Sequence, residues 1–181
     1  DSLLAKYNSS GTIQWQRTLG TSGNDYGYGV AIDSSDNVYV FGQTYTGAAI
    51  GNDLLLAKYN SSGTVQWQRI LGGAGQERGN SVAIDSSNNV YVAGQTSSTG
   101  AGNNDILLAK YNSAGTIQWQ RILGGAADDN GNSVAIDSSN NVYVVSASGS
   151  FSTADSLLAK YNSSGTIQWQ RSLGGVGQEN G

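Results

Sequence analysis

The chain repeats itself at intervals of about fifty residues. A segment that reads DSLLAKYNSSGTIQWQR begins at Asp1 and returns later in the chain with at most two changes. The later copies begin at Asp53, Asp105 and Asp155. Repeats of this length cannot bury a core alone, so they stack on their neighbours, as in solenoids and propellers. We therefore predict a repeat architecture rather than a single globular core.

A second block is shared by the repeats. It reads GVAIDSSDNVYVFGQT from Gly29, SVAIDSSNNVYVAGQT from Ser81 and SVAIDSSNNVYVVSAS from Ser133. Val, Ile, Tyr and Thr favour strands, and the polar clusters DSSNN and NSAG favour tight turns between them. The unit is therefore predicted to be a four-stranded antiparallel meander. In one complete copy the predicted strands are Ser81–Asp85, Val90–Gln95, Ile106–Tyr111 and Thr116–Leu123.

The third predicted strand is apolar on successive residues, as in the LLLA that follows Asp53. Both of its faces must therefore be covered, and a single meander cannot cover both. Sheets that stack face to face, like the radial blades of a propeller, satisfy this requirement. The fourth strand alternates and carries a tryptophan, which we assign to packing against a neighbouring blade. These packing residues are Trp15, Trp67, Trp119 and Trp169.

The sequence VAIDSSNNVYVAGQT, followed by LLAKYNSAGTIQWQRILGG, resembles the bacterial SBBP β-propeller repeat and, more distantly, NHL-type blades. The resemblance covers essentially the whole chain. It implies a propeller fold with VAID on the innermost strand of each blade and IQWQR on the outermost strand. It also implies a bacterial protein that is secreted or displayed at the cell surface, and it implies no single function.

The assignment of VAID to the innermost strand and IQWQR to the outermost strand divides the chain into blades. We predict an all-β, β-propeller-type repeat of about three four-stranded antiparallel blades plus an outer-strand hairpin, open unless more chain or other subunits complete it. The predicted units are the hairpin at 1–19, blades at 20–71, 72–123 and 124–173, and a connection at 174–181. Two routes to completion are expected: the hairpin docks on a blade of another copy, or a longer chain continues past Gly181 with another VAID-type strand.

Composition argues against several classes of function. The chain has no histidine and no cysteine, which removes the commonest general base, thiolate chemistry and the commonest transition-metal ligand. We therefore predict no enzymatic activity, no catalytic or metal-binding residues and no cofactor. A net charge of −4 argues against a nucleic-acid partner. No apolar run approaches the roughly 18 residues of a membrane-spanning helix.

Two sets of charged residues recur with the repeat. Asp33, Asp85 and Asp137 follow the innermost strand, where we expect each carboxylate to accept backbone N–H groups of its own turn. A cation-binding ring of carboxylates is the alternative. The basic residues of the outer strands are expected to pair with carboxylates or to be solvated, with a basic stripe as the alternative. They are Lys6, Lys58, Lys110, Lys160, Arg17, Arg69, Arg121 and Arg171.

The repeats differ from one another mainly in two connections, which leave from the same end of each predicted sheet. Examples are TSGNDYGYG and GAADDNGN between blades, and SGSFSTA between a second and a third strand. Variable loops on a rigid scaffold commonly carry binding specificity, so we predict a candidate binding face at this end. Its candidate residues are Tyr26, Tyr28, Tyr45, Glu77, Arg78, Asp128, Asp129 and Phe151.

The favoured functional hypothesis is a non-enzymatic structural module, extracellular or at the cell surface, whose partners are other copies of itself or further repeats of the same chain. Open blade ends that meet head to tail without closing give filaments. The alternative is a lectin-like module that binds carbohydrate or protein on the variable-loop face. Equivalent glycan sites in every blade gap are disfavoured, because the loop aromatics are not repeated.

Overall fold

The computed structural model describes residues 1–21, 23–45, 51–149 and 155–173, and within these ranges every regular element is a β-strand. The strands are β1 (Ser2–Tyr7), β2 (Ile13–Leu19), β3 (Asp25–Ile32), β4 (Val38–Tyr45), β5 (Asn52–Tyr59), β6 (Val65–Leu71), β7 (Glu77–Ile84), β8 (Val90–Thr96), β9 (Asp105–Tyr111), β10 (Ile117–Leu123), β11 (Asp129–Ile136), β12 (Val142–Ser148), β13 (Asp155–Tyr161) and β14 (Ile167–Leu173).

The described strands form three sheets of four strands and one sheet of two strands, all antiparallel. Strands β3–β6 form blade 1, β7–β10 form blade 2 and β11–β14 form blade 3, and in each blade the strands lie side by side in chain order. Strands β1 and β2 form the two-stranded sheet, termed the N-terminal hairpin below. The predicted all-β class and the four-stranded antiparallel blades are confirmed.

The first strand of each blade is longer than the sequence pattern predicted. In blade 2 this strand begins at Glu77, whereas the apolar residues placed its start at Ser81. The added residues pair with β8, and a bulge between Gly79 and Ser81 shifts the register. This part of the strand consists of glycine and polar residues, which are ordinarily depleted in strands. Because it lacks apolar alternation, the sequence pattern did not predict it.

The polar turns close the hairpins as expected. The Asp85 carboxylate accepts two backbone N–H groups of its own turn, each at 2.9 Å. Asn88 has a φ of 60°, a left-handed conformation that Asn and Asp tolerate better than most side chains. Asp33 and Asp137 make the same backbone hydrogen bonds in their turns. The expectation that these aspartates stabilise turns is confirmed.

Neighbouring blades stack face to face through side chains that alternate along each strand. In β8, Val90 and Val92 pack towards blade 1, whereas Tyr91 and Ala93 pack towards blade 3, and all of them are fully buried. The successive apolar residues of β9 are buried as the sequence indicated. The first strands β3, β7 and β11 contact one another in turn, which places them at the common inner edge of the stack.

Each end of the stack has one incompletely covered face among the described residues. Leu3 and Tyr7 of the N-terminal hairpin are 69% and 59% exposed, whereas the equivalent Leu55 and Tyr59 of blade 1 are 5% and 0% exposed. At the other end, Tyr143 of blade 3 is half-buried, although its equivalents in blades 1 and 2 are fully buried. These two faces are therefore the apolar surfaces at which a further blade would pack.

Candidate functional site

Neighbouring blades are joined by hydrogen bonds from the outer strands of one blade to a turn of the next. The indole Nε1 of Trp15 donates to the carbonyl oxygen of Ser61 at 3.0 Å. Arg17 Nε donates to the carbonyl oxygen of Gly63 at 2.6 Å, and Lys6 Nζ donates to that of Ser61 at 3.3 Å. Both carbonyl groups belong to the NSSG turn between β5 and β6. We term this arrangement, with Lys, Trp and Arg as donors and turn carbonyls as acceptors, the blade joint.

The blade joint recurs with nearly constant geometry from blade 1 to blade 2 and from blade 2 to blade 3. At these two joints the Trp Nε1–O distances are 3.1 and 3.2 Å, and the Arg Nε–O distances are 2.6 and 2.7 Å. The Lys Nζ–O distances are 3.3 and 3.1 Å. The residues are Lys58, Trp67 and Arg69 with Ser113 and Gly115, and Lys110, Trp119 and Arg121 with Ser163 and Gly165.

The glycine of the acceptor turn is required by the tryptophan ring that packs on it. Gly63 has a φ of +77°, and a Cβ atom at this position would lie 2.7 Å from the Trp15 ring. Glycine therefore serves both the backbone conformation and the close contact. The Trp15 ring also lies 6.3 Å from the Tyr59 ring, with 21° between their planes. Trp15 is half-buried, as a ring that packs with one face and keeps an edge near solvent should be.

The lysines of the four-stranded blades are also held within their own blade. Lys58 Nζ lies 3.5 Å from Asp33 Oδ2 and 4.9 Å from the ring centre of Tyr39. Tyr39 donates its hydroxyl group to the same Asp33 oxygen at 3.0 Å. Burial raises the pKa of Asp33, but hydrogen bonds from Asn37, the turn backbone and Tyr39 outweigh it, so the pKa is lowered overall. The expected pairing with carboxylates is confirmed for Lys58, Lys110 and Lys160, whereas Lys6 donates to a main-chain carbonyl group instead.

Three arginines of the outer strands, Arg17, Arg69 and Arg121, have a role that the sequence did not predict. They bind main-chain carbonyl groups of the next blade instead of carboxylates. A signal was present, because Trp and Arg two residues apart share one face of a strand. Their common face therefore indicated a shared partner, although it did not identify a main-chain acceptor.

The two halves of a further joint stand at opposite ends of the stack. Lys160, Trp169 and Arg171 of blade 3 occupy the donor positions, and no described residue accepts a hydrogen bond from Trp169 Nε1. The acceptor half is the turn 8–11 of the N-terminal hairpin. Gly11 in this turn has a φ of +76°, matching the acceptor glycines inside the stack. The end surfaces therefore carry the same chemistry as surfaces that are already joined within the chain.

A second candidate site lies on the first strands of blades 1 and 2. The rings of Tyr26 and Tyr28 are 6.4 Å apart with 7° between their planes, and Arg78 Cζ lies 4.9 Å from the ring centre of Tyr28. Tyr28 donates its hydroxyl group to Gln43 Oε1 at 2.9 Å, which fixes the ring. Tyr26 and Tyr28 are 50% and 38% exposed. The structure thus brings three predicted candidate residues together at the seam between two blades.

The other candidate residues lie apart from this cluster. Glu77 and Asp129 are 2% and 0% exposed, which corrects their predicted placement on an open binding face. Each accepts a hydroxyl group from the second strand of its blade and a backbone N–H from the preceding connection. Asp128 is exposed and accepts a hydrogen bond from an asparagine side chain at 3.1 Å, and Tyr45 is 45% exposed. Phe151 lies outside the described residues.

The described residues offer little for metal or membrane chemistry. They contain no group of three or more acidic side chains placed to hold a metal ion. In the same part of the chain, no helix has the length and apolar character needed to cross a membrane. Two of the larger clefts, of about 480 and 370 Å³, lie between the diverging outer strands of neighbouring blades, and neither is lined by a carboxylate.

Four-stranded antiparallel blades that stack face to face along a shared inner edge define the β-propeller-type class of repeat proteins. The family model described as SBBP, beta-propeller repeat, matches residues 14–47, 66–100 and 118–150, which together make up more than half of the chain. The chain therefore belongs to the SBBP beta-propeller repeat family. Each matched segment runs from the last strand of one blade or hairpin through the first two strands of the next blade.

Two known proteins are similar to parts of the chain. The uncharacterized WD repeat-containing protein L264 of Acanthamoeba polyphaga mimivirus is 24% identical over 160 residues, which cover 67% of this chain and 11% of that protein. The regulatory protein FlaEY of Caulobacter vibrioides (strain ATCC 19089 / CIP 103742 / CB 15) is 28% identical over 111 residues, which cover 54% of this chain and 12% of that protein. The chain thus spans about a tenth of the length of either relative.

Proposed function

We propose that the chain is a non-enzymatic structural repeat module that assembles end to end with blades of the same kind, outside the cell or at its surface. The observation that carries this proposal is the blade joint, which occurs three times within the chain. Its donor half on blade 3 and its acceptor half on the N-terminal hairpin match, in sequence, the halves that are joined inside the stack.

In the proposed contact, the end of blade 3 in one copy receives the N-terminal hairpin of the next copy. Trp169 packs on Gly11 and donates to the carbonyl oxygen of Ser9, and Arg171 donates to that of Gly11, as the internal joints do. Tyr7, which is 59% exposed, becomes covered by the tryptophan ring. Burial of a large apolar side chain contributes roughly 1.5–3 kcal/mol, so covering both end faces favours association.

The absence of enzymatic activity is supported by the chemistry of the side chains. Without histidine or cysteine, acid–base catalysis would require paired carboxylates. The buried Glu77 and Asp129 are engaged with hydroxyl groups and backbone N–H groups that hold the strand ends. The proposed location rests on the resemblance to secreted and surface-displayed repeat proteins. Protease digestion of intact source cells tests it, and full protection of the protein would contradict it.

Sedimentation velocity over a wide range of protein concentration tests the assembly. We expect the average sedimentation coefficient to rise with concentration and electron micrographs to show linear particles. Trp169→Ala and Arg171→Gln should each weaken association without changing the fold, because both remove donors from the end of the stack. A chain that remains monomeric, or that forms particles unaffected by Trp169→Ala, would contradict the proposal.

Gln170→Ala is the matched control for these variants. Gln170 lies between Trp169 and Arg171 on β14, so its side chain alternates to the opposite face of the strand and borders the cleft towards blade 2. Its truncation should leave association unchanged. Weakening by Gln170→Ala equal to that by Trp169→Ala would indicate a general disturbance of β14 rather than loss of a joint.

A second candidate function, carbohydrate binding, is favoured by the cluster of Tyr26, Tyr28 and Arg78. The positions of Tyr26 and Tyr28 are occupied in blade 3 by Asn130 and Asn132, so the cluster belongs to one seam rather than to every blade gap. A glycan array probed with the wild-type chain tests this function. Binding that is lost in Tyr26→Asn would support it, and an array without any binding would contradict it.

A further inference from the structure

The first strands of the blades differ strongly at two positions within an otherwise similar sequence. Tyr26 and Tyr28 of blade 1 correspond to Arg78 and Asn80 of blade 2. In each blade a buried acidic residue precedes these two positions, a glycine separates them, and the sequence VAI follows after one glycine or serine. At the second position the side chains make structural hydrogen bonds, from Tyr28 to Gln43 and from Asn80 to the carbonyl oxygen of Gly131. At the first position, Tyr26 and Arg78 are exposed and their side chains make no hydrogen bond within the described residues, so this position is the one free to serve recognition.

Arg78 differs from the arginines of the blade joints. Within the described part of the chain its side chain makes no hydrogen bond and no ion pair, and its guanidinium group lies over the ring of Tyr28. A guanidinium group held on an aromatic face is oriented, yet its N–H groups remain available as donors. In a chain of net charge −4, this isolated cation marks a local position for an anion.

The two tyrosine rings give the site a second property. They are substantially exposed, their planes are within 7° of parallel, and Arg78 stands at one end of the pair. Flat aromatic surfaces pack against the apolar faces of planar or ring-shaped ligands. A ligand that carries both a ring and a carboxylate would use the tyrosines and the arginine together, whereas an acidic peptide would use mainly the arginine.

We infer that Tyr26, Tyr28 and Arg78 bind an acidic glycan, a chain of sugar rings that bear carboxylate groups. A sugar ring packs on the exposed ring of Tyr26, which Tyr28 supports from behind, and a carboxylate further along the glycan accepts two parallel N–H···O hydrogen bonds from Arg78. An open aromatic surface, unlike an enclosed pocket, admits a polymer that extends beyond the site at both ends. This inference rests on the second candidate function, carbohydrate binding, and is independent of the end-to-end assembly.

Calorimetric titration with oligogalacturonate tests the inference. Two further probes separate its parts: methyl-esterified oligogalacturonate has the rings without the charge, and polyglutamate has the charge without the rings. We expect the wild-type chain to bind oligogalacturonate at least about tenfold more tightly than either of the other probes, because only oligogalacturonate uses both the rings and the guanidinium group.

Variants of the chain identify the site. Arg78→Asn and Tyr26→Asn should each weaken the binding of oligogalacturonate by about tenfold or more. Both changes introduce the residue type that blade 3 carries as Asn130, so the fold should tolerate them, and their unfolding temperatures check this. Lys6→Gln removes the same charge from the joint between the N-terminal hairpin and blade 1, away from both the tyrosine cluster and the end-to-end contact, and should leave the affinity unchanged. An equal loss in Lys6→Gln would reveal non-specific attraction and overturn the site.

The outcomes distinguish the inference from the function on which it rests. Equal binding of the charged and the methyl-esterified oligosaccharide would overturn the acidic class while supporting carbohydrate binding. Polyglutamate that binds as tightly as oligogalacturonate would overturn the glycan as the ligand. No binding of either oligosaccharide would contradict both the inference and the second candidate function.

Discussion

A single tryptophan in each joint combines apolar burial with a directed hydrogen bond. In the joint between blades 2 and 3, the Trp119 ring packs on Gly165 while its Nε1 donates to the carbonyl oxygen of Ser163. An indole ring suits this position because one face is apolar and one edge carries a donor. Alternation along the strand predicted that Trp119 packs. The acceptor was not predictable from that pattern, because it is a main-chain atom of another repeat.

Trp119→Ala should lower the free energy of unfolding by about 3 kcal/mol, the lower end of the range for large aromatic truncations, because the side chain is half-buried. Trp169→Ala is the matched variant, since Trp169 has the same strand position without a described blade beyond it. In dilute, monomeric protein, Trp169→Ala should lower the free energy of unfolding by less than Trp119→Ala does. Denaturant titration measures both variants, and equal losses would contradict a contribution from the joint.

Acid should weaken the turn that Asp85 holds. Burial raises the pKa of Asp85, but hydrogen bonds from Asn89, Tyr91 and the turn backbone outweigh it and hold the pKa below the ordinary value of 3.8. A group whose pKa is lowered by folding contributes stability that is present above its unfolded pKa and is lost as the pH falls through its folded pKa. The thermal midpoint should therefore fall below about pH 4.

Two variants test the origin of this acid sensitivity. Asp85→Asn should lower the thermal midpoint at neutral pH and reduce its decline in acid, because the titrating group is gone. Asp36→Asn should change the profile little, since Asn88 holds the equivalent position with nearly the same φ, 60° against 59°. If the thermal midpoint of Asp85→Asn declines in acid in parallel with that of the wild-type chain, Asp85 is excluded as a source of the acid sensitivity.

Among the elements, the first strand of each blade depends on a buried carboxylate at its start. Glu77 Oε1 accepts the hydroxyl group of Thr96 at 2.6 Å, and Oε2 accepts the backbone N–H of Gly73 at 3.0 Å. One side chain thereby ties two strands to the connection from the previous blade. The sequence contained a signal for this role, because Asp25, Glu77 and Asp129 recur at the same place in the repeat. The position of Glu77 and Asp129 beside variable loops favoured a binding role for these two residues instead.

Glu77→Ala should destabilise the chain by about 1–3 kcal/mol, because it leaves the buried hydroxyl group of Thr96 and the backbone N–H of Gly73 without their acceptor. Glu77→Asp is the matched control, since aspartate holds this place in the other blades, and its effect should be smaller. Hydrogen exchange locates the change, with faster exchange expected at the amide of Gly73. Unchanged exchange there in Glu77→Ala would show that the carboxylate does not anchor the connection.

Sequence pattern predicted the order of the strands better than the grouping of side chains. Apolar runs and polar turns repeat along the chain, so the meander and its stacking follow from local rules. The cluster of Tyr26, Tyr28 and Arg78 joins two repeats across a seam, and Tyr28 is the extra residue of a bulge in β3. Alternation does not set the direction of a side chain at a bulge, so the sequence could nominate these residues without placing them together.

Over the whole molecule, every blade joint has the same polarity. Donors lie on the earlier blade and acceptors on the later one, at all three joints. A contact between unlike surfaces is heterologous, so it closes into a ring when the rotations between units add up to a full turn and otherwise produces an open filament. End-to-end assembly through a further joint would therefore give particles with one donor end and one acceptor end.

This polarity predicts that a copy blocked at its donor end will terminate growth. A double variant, Trp169→Ala with Arg171→Gln, keeps the turn that contains Gly11, so it can add to the donor end of an assembly, but of the three donors it offers only Lys160 to the next copy. A small fraction of this variant mixed with wild-type chain should shorten the particles seen by electron microscopy. Adding Gly11→Ala to the double variant should abolish the effect, because a Cβ atom at the equivalent Gly63 would lie 2.7 Å from the tryptophan ring. If the double and the triple variant shorten the particles equally, the donor-to-turn contact is not what joins the copies.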